Sequence, residues 1–372
     1  MAVMTSNGHG GDVYAAARDL RRGVHHLLDF SASINPLGPS PAALRAIADA
    51  APLLQHYPDP TCWDVRQALA NHWQRPTEEF LVGNGSTELI HLLPEALHIR
   101  HLLVVGPTFS EYAAAMRRSG GRVSLVMGDR TEAYRPPLEQ VVAAMSETSR
   151  VVARRRPIDA VLLCNPNSPT GYASSAEAVM RVARRVTRRE GWCIVDETFA
   201  EYCADASILS HMLPARTIVL RSFTKFYGLP GLRVGYAVAN KATIKRMGAH
   251  QPPWSVNMLA QRAAVAALGD GRHASRSLRF MDRERTRLRK ALTRLPGCIL
   301  FPSAANFLLM ELPAGWKATG TAAALRRKGI LIRDCSQVPG LNARTVRVAV
   351  RTRAENDRLL HALATVLRAG GS

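Results

Sequence analysis

No stretch of this 372-residue chain approaches the roughly 18 consecutive apolar side chains that a membrane-crossing helix requires. Its opening, MAVMTSNGHGGD, lacks the basic-then-apolar order of a secretory signal, so the expected location is cytoplasmic. The six cysteines contain no C-x-x-C pair and no zinc spacing, which excludes a disulfide framework and leaves buried thiols as the expectation. No cysteine- or histidine-rich segment follows, so no metal is expected. Acidic residues are scarce: 29 Asp and Glu face 49 Lys and Arg, for a net charge of +20. Such a field attracts anions. The basic residues are nevertheless scattered through RRPIDA, RVARRVTRRE, MDRERTRLRK and ALRRKG, without the interleaved aromatics of a nucleic-acid module. A small phosphorylated ligand suits this charge better than nucleic acid does. No repeat of 20 to 50 residues and no Gly/Ser linker is present.

What the chain does contain is a hydrophobic share of 47%, arranged in an alternating pattern. The apolar runs HLLVVGP, RVSLVMG, AVLLCNP, WCIVDE and TIVLRSF suit buried parallel strands and are separated by helix-compatible segments. This predicts an α/β fold with a mostly parallel sheet. After about residue 240 come the Arg-rich amphipathic helices AQRAAVAAL and RSLRFMDRERTRLRKALTRL. The short strands FLLMEL, ILIRD and TVRVAV follow, and then a closing helix, AENDRLLHALATVLRAG. The expected organisation is an N-terminal arm with part of a small domain over 1–45, a large domain over 46–245 and a small α+β domain over 246–372.

Ligands in parallel sheets bind beyond the carboxyl ends of the strands. Four such ends carry unusual chemistry. NGSTE follows FLVG, and its Gly85, Ser86 and Thr87 open a helix able to hold a phosphate. NPNSPTG follows VLLC, Asp196 of DET ends a strand, and Thr224–Lys225 follows VLRSF. Singly these suit a helix cap, a turn, a second cap and a solvated lysine. Jointly they describe a site for pyridoxal 5'-phosphate. Lys225 supplies the amine that condenses with the cofactor aldehyde, and Asp196 faces the pyridine nitrogen. Asn165 donates to the phenolic oxygen. Gly85, Ser86, Thr87, Ser222, Thr224 and Arg233 share the phosphate charge. Phe109, in GPTFSEY, is the candidate for stacking on the ring, against ordinary core packing.

The order N-P-N-x-P-T-G, then D-E, then S-x-T-K with an arginine eight positions on, resembles the fold-type-I pyridoxal-phosphate enzymes of the class I/II aminotransferase group. The resemblance runs over nearly the whole chain. It implies a fold-type-I transferase fold and a homodimer, with Tyr57 of HYPDPT reaching the cofactor phosphate of a neighbouring subunit. Within the group, FSASINPLGPS is similar to histidinol-phosphate aminotransferases and their relatives. The HGG at 9–11, LLDFSASINPLGPS, TKFYGLPGLRVGY followed by PPWSVN, and LIRDCSQVPGL before VRVAVR resemble the threonine-phosphate decarboxylases of cobalamin biosynthesis more closely. Phe199 of DETF stands where many aminotransferases carry a tyrosine.

The resemblance implies decarboxylation of L-threonine O-3-phosphate to (R)-1-amino-2-propanol O-2-phosphate. Arg333 and Arg347 lie on apolar strands, where bidentate pairing with phosphate or carboxylate is natural and an internal salt bridge is the plainer alternative. Which of the two takes the phosphate stays open. By the same resemblance His9, Gly10, Asn35 and Asn165 complete the substrate set. An aminotransferase would share every cofactor residue, and a regulator built on this fold would need a DNA-binding domain for which the roughly thirty residues before DFSASINP leave no room.

Overall fold

The computed structural model describes residues 10–145 and 157–369. Thirteen strands and twelve α-helices are found among these residues. The first part of the chain forms α1 (Val13–Leu20), β1 (Leu28–Asp29), α2 (Pro41–Ala50) and α3 (Trp63–Trp73). Next come β2 (Phe80–Gly83), α4 (Gly85–Ala96), β3 (His101–Gly106), α5 (Glu111–Arg118), β4 (Arg122–Met127) and α6 (Leu138–Ala144). Then follow β5 (Ala160–Cys164), α7 (Ala176–Thr187), β6 (Trp192–Asp196), β7 (Thr217–Ser222), β8 (Gly235–Val238) and α8 (Lys241–Gly248). Helices α9 (Met258–Gly269) and α10 (Gly271–Leu292) lead into β9 (Ile299–Leu300) and β10 (Phe307–Glu311). The chain closes with α11 (Ala318–Arg327), β11 (Ile330–Leu331), β12 (Arg333–Asp334), β13 (Thr345–Ala349) and α12 (Arg353–Ala369).

Seven strands form the large sheet in the order β2-β8-β7-β6-β5-β3-β4. Only β8 runs against its neighbours β2 and β7; the remaining pairs are parallel. Strands β5, β6 and β7 are buried along their whole length, which is why they read as unbroken apolar runs. RVSLVMG, expected to be buried, is instead the edge strand β4, and its Leu125 remains 48% exposed.

A four-stranded sheet, β12-β13-β10-β9, carries the second core, and β1 pairs only with β11. The segment ILIRD thus divides between two sheets. Helix α10 buries Ser277, Met281, Glu284, Leu288 and Leu292 at helical spacing and turns its arginine-rich face outward, as its amphipathic pattern predicts. The expected domain break at residue 245 does not coincide with a change of core. Val256, Ala260, Ala263, Ala264 and Ala267 of the α9 segment pack with Val219, Phe223 and Ala43 in the core of the large sheet. The second core begins with Met281 on α10 and recruits Leu28 and Phe30 from the chain start.

Candidate active site

The parallel register brings the carboxyl ends of β5, β6 and β7 together, with Cys164 beside Asp196 and Asp196 beside Leu220. A cavity of about 220 Å³ opens there. Its floor includes Asp196, Ser222, Thr224 and Lys225; the start of α4 forms one side; Arg333 and Arg347, from β12 and β13, form the other.

Lys225 follows β7 in a loop whose carbonyl accepts the Asn35 N–H at 2.9 Å. Burial, then Arg347 and Arg233, draw its amine down from 10.5 to about 8, against the opposing pull of Asp29 and Asp196. The neutral, nucleophilic fraction of the amine near physiological pH is therefore a minor one but far larger than for an ordinary lysine. Asp196 is 3% exposed. Its Oδ2 accepts the Tyr112 hydroxyl at 2.8 Å and its Oδ1 accepts the Thr198 N–H at 2.9 Å. Burial raises its pKa, while Thr198, Tyr112 and Lys225 pull the other way. A protonated ring nitrogen beside this carboxylate would supply the counter-charge that burial denies it.

An anion cradle lies at the start of α4. Asn84 makes no side-chain cap, so the first N–H groups of the helix, at Ser86 and Thr87, have no such partner. Gly85 has φ +75°, and a Cβ there would stand 2.6 Å from Nη2 of Arg233, so the guanidinium rests directly on the helix start. Ser222 Oγ accepts the Thr224 N–H at 3.1 Å, which sets both hydroxyl residues in the same turn. Helix N–H groups, hydroxyls and one arginine together suit a phosphate.

On the opposite wall, Arg347 donates through Nη1 to Ser168 Oγ at 3.0 Å and through Nη2 to the Ser31 carbonyl at 2.8 Å. Its guanidinium lies 4.9 Å from the Phe307 ring centre and its Nε is a buried atom without a hydrogen bond. No carboxylate pairs with it among the described residues. Burial, with Arg333 adding, lowers its pKa from 12.5 to about 10 against Cys335 and Asp29, so it remains charged near neutrality. Phe109 lines the cavity and meets Tyr112 edge-on at 5.6 Å.

Several expected site residues lie elsewhere. Asn165 gives both amide hydrogens to the carbonyls of Ser174 and Ala206, each at 3.0 Å, and its Oδ1 accepts the Ser174 N–H. It has no donor left for a phenolic oxygen or a substrate, and its work is to pin the turn. Asn35 likewise donates to the Phe226 carbonyl and Ser277 Oγ, so it ties the lysine loop to α10 rather than touching substrate. Tyr57, expected at a neighbouring subunit's site rather than its own, is 81% exposed, stacks on Trp254 at 4.8 Å and does not line this chain's cavity. His9 lies outside the described residues, whereas Gly10 lines the cavity. Tyr112 and Ser168 also line it and were not singled out from sequence, although both sit within quoted segments, GPTFSEY and NPNSPTG. Tyr112 is three residues beyond Phe109, on the first turn of α5, a spacing that brings the two rings together.

The residues present fit pyridoxal phosphate: a partly desolvated lysine, a buried carboxylate with its own donors, and an arginine-backed helix start. They offer its phenolic oxygen nothing from Asn165, and Phe199 carries no hydroxyl.

The family model for class I and II aminotransferases matches residues 25–363. The chain is 36% identical to a threonine-phosphate decarboxylase of Salmonella typhimurium, over 99% of this chain and 98% of that protein. It is 32% identical to a histidinol-phosphate aminotransferase of Moorella thermoacetica, over 93% and 86% of the two chains. Among solved structures it is similar to the Sinorhizobium meliloti histidinol-phosphate aminotransferase in complex with pyridoxal-5'-phosphate, with a TM-score of 0.85, 25% identity and coverage of 99% and 96%. With fold, donor set and relatives in agreement, the chain belongs to the class I and II aminotransferase family and is a pyridoxal-phosphate-dependent enzyme of the fold-type-I class.

Proposed function

We propose that the enzyme decarboxylates L-threonine O-3-phosphate to (R)-1-amino-2-propanol O-2-phosphate, the aminopropanol unit used in cobalamin biosynthesis. The observation that carries this reading is the pair of arginines sharing the cavity with Lys225: Arg347, with which no carboxylate pairs among the described residues, and Arg333 beside it. A substrate with a carboxylate at one end and a phosphate at the other gives both guanidiniums an anion. The match of 36% identity over 99% of the chain to a threonine-phosphate decarboxylase supports the same substrate.

Bound at this site, pyridoxal phosphate supplies an electron sink for the pair released when a bond at the substrate Cα breaks. The protein groups do the rest. Asp196, held by Tyr112 and Thr198, would keep a positive charge on the cofactor's ring nitrogen. Gly85, Ser86, Thr87, Ser222, Thr224 and Arg233 would hold its phosphate. Arg347 and Arg333 hold the two anionic ends of the substrate and thereby decide which Cα bond faces the sink. Lys225, its amine drawn down to about 8, returns a proton to the carbon that loses carbon dioxide. A homodimer is part of the same reading, supported by the exposed apolar side chains of Leu54 (62%), Trp63 (52%) and Trp254 (48%) near Tyr57 in sequence or by stacking.

The second reading is a histidinol-phosphate aminotransferase, which the TM-score of 0.85 to such an enzyme favours. Mass-spectrometric product analysis separates the two. Cofactor-loaded protein incubated with L-threonine O-3-phosphate and no keto acid should yield aminopropanol phosphate, and a Lys225→Ala control should not. Loss of the amino group from histidinol phosphate only when a keto acid is added, with no aminopropanol phosphate, would establish the second reading instead.

A further inference from the structure

Asp29 touches neither cofactor nor substrate in the reading above and acts on Lys225 and Arg347 only through its charge, yet it organises one corner of the cavity. It ends β1, and its Oδ1 accepts the Ser31 N–H at 2.8 Å, the Ser31 hydroxyl at 2.5 Å and the Ala32 N–H at 3.2 Å. Because the Ser31 proton is committed to Asp29, the Ser31 oxygen is left as an acceptor, and it takes the Gly11 N–H at 2.8 Å. The carbonyl of Ser31 accepts from Arg347. Gly10 lies against that same carbonyl so closely that a Cβ on it would stand 2.2 Å from the oxygen. The turn is itself anchored: the Asp29 carbonyl accepts Nη1 of Arg351, whose Nη2 pairs with Glu355 on the first turn of α12.

An aspartate closing a turn onto the next residues is ordinary. What distinguishes this one is the division of the two Ser31 oxygens, the hydroxyl to the N-terminal segment and the carbonyl to the arginine that faces the substrate. We propose that Asp29 is a positioning residue that clasps the N-terminal segment at Gly10–Gly11 over the cavity and fixes the Ser31 carbonyl against Arg347. It thereby governs affinity for the anionic substrate rather than the chemical step. The inference rests on the reading of Arg347 as an anion-binding group.

The test compares Asp29→Ala and Asp29→Asn in the cofactor-loaded full chain. Amide hydrogen exchange is read at Gly11 and Ser31, and steady-state constants are taken with whichever of the two phosphorylated substrates the wild-type chain turns over. Loss of three hydrogen bonds in Asp29→Ala should remove Gly11 protection and raise KM about tenfold, with kcat within about twofold. Asparagine keeps the accepting oxygen, so Asp29→Asn should restore protection and bring KM back to within about threefold of wild type. Should Asp29→Ala fail to fold, Ser31→Ala removes only the hydroxyl link and should free the Gly11 amide with a smaller rise in KM. Unchanged Gly11 exchange in Asp29→Ala, a fall in kcat alone, or an asparagine variant no better than alanine would each overturn the clasp. The exchange measurement needs no turnover. Loss of Gly11 protection in a chain inert toward threonine phosphate would support the clasp and count against only the substrate reading.

Discussion

Two arginines near the same strand ends, one fully buried and one half-buried, meet opposite circumstances. Arg221 of β7 is 1% exposed, paired with Glu197 at 2.9 Å and Glu201 at 3.1 Å, bonded to Ser207 Oγ and laid over the Trp73 ring. Burial pulls its guanidinium down, but Glu197 and then Glu201 outweigh it and carry it above its ordinary value. Arg347 has a hydroxyl, a carbonyl and the Phe307 ring, and no ion pair among the described residues, Asp29 acting on it only at a distance. Strand alternation accounts for one half of the split: Arg221 and Ser222, adjacent on β7, face opposite sides of the large sheet, whereas Arg347 reaches the site from β13 of the smaller one. One side of the strand ends is neutralised internally and belongs to the core. The other keeps an unmet positive charge and an amine of lowered pKa, and there the ligand completes the electrostatics.

The contrast can be broken at several points. The largest effect is expected from Lys225→Ala, which should abolish both turnover and the visible absorbance of lysine-bound cofactor; a retained band would remove Lys225 from its role. Arg221→Met leaves Glu197 and Glu201 without their partner and should cost about 3–5 kcal/mol in denaturant unfolding of the cofactor-free protein. Arg347→Met should reverse the pattern. It should lower kcat/KM about a hundredfold while changing unfolding free energy by less than about 1 kcal/mol, since no buried carboxylate is orphaned. Equal destabilisation by the two arginine substitutions would erase the distinction drawn here.

A smaller effect concerns pH. Capture of pyridoxal phosphate by the cofactor-free protein requires the neutral Lys225 amine, whose pKa is lowered from 10.5 to about 8. The capture rate should therefore climb with pH, level off above about 8, and fall about tenfold per unit well below it. A profile still climbing toward 10.5 would show that neither burial nor the cations around Lys225 lower its pKa. Least is expected of Tyr112→Phe, which removes one hydrogen bond to Asp196 and should reduce kcat by about five- to tenfold, corresponding to roughly 1 kcal/mol.

Much of this was legible in the sequence, for identifiable reasons. Strands buried on both faces appear as uninterrupted apolar runs, so their ends, and with them Asp196, Ser222 and Lys225, were placed correctly. Turn residues were not. Asn165 and Ser168 share the segment NPNSPTG, and only the path of the turn decides that the serine lines the cavity while the asparagine bonds backbone. The two-residue strand β1 offers no periodicity to detect, and Asp29 acts through partners that no spacing announces. The alanine face of α9 would suit either core, so its membership in the large one depends on packing against α2.

The tie at Asn35 bears on how the molecule assembles. Its amide joins the carbonyl of Phe226, 191 positions away, and Ser277 Oγ, 242 positions away, while its N–H holds Lys225 itself. Contacts of such span carry a loop-closure cost that is met only where distant parts of the chain pack together. The setting of the reactive lysine therefore depends at once on the chain start, the central sheet and the long helix. The capacity to take up cofactor thus reports on all three together.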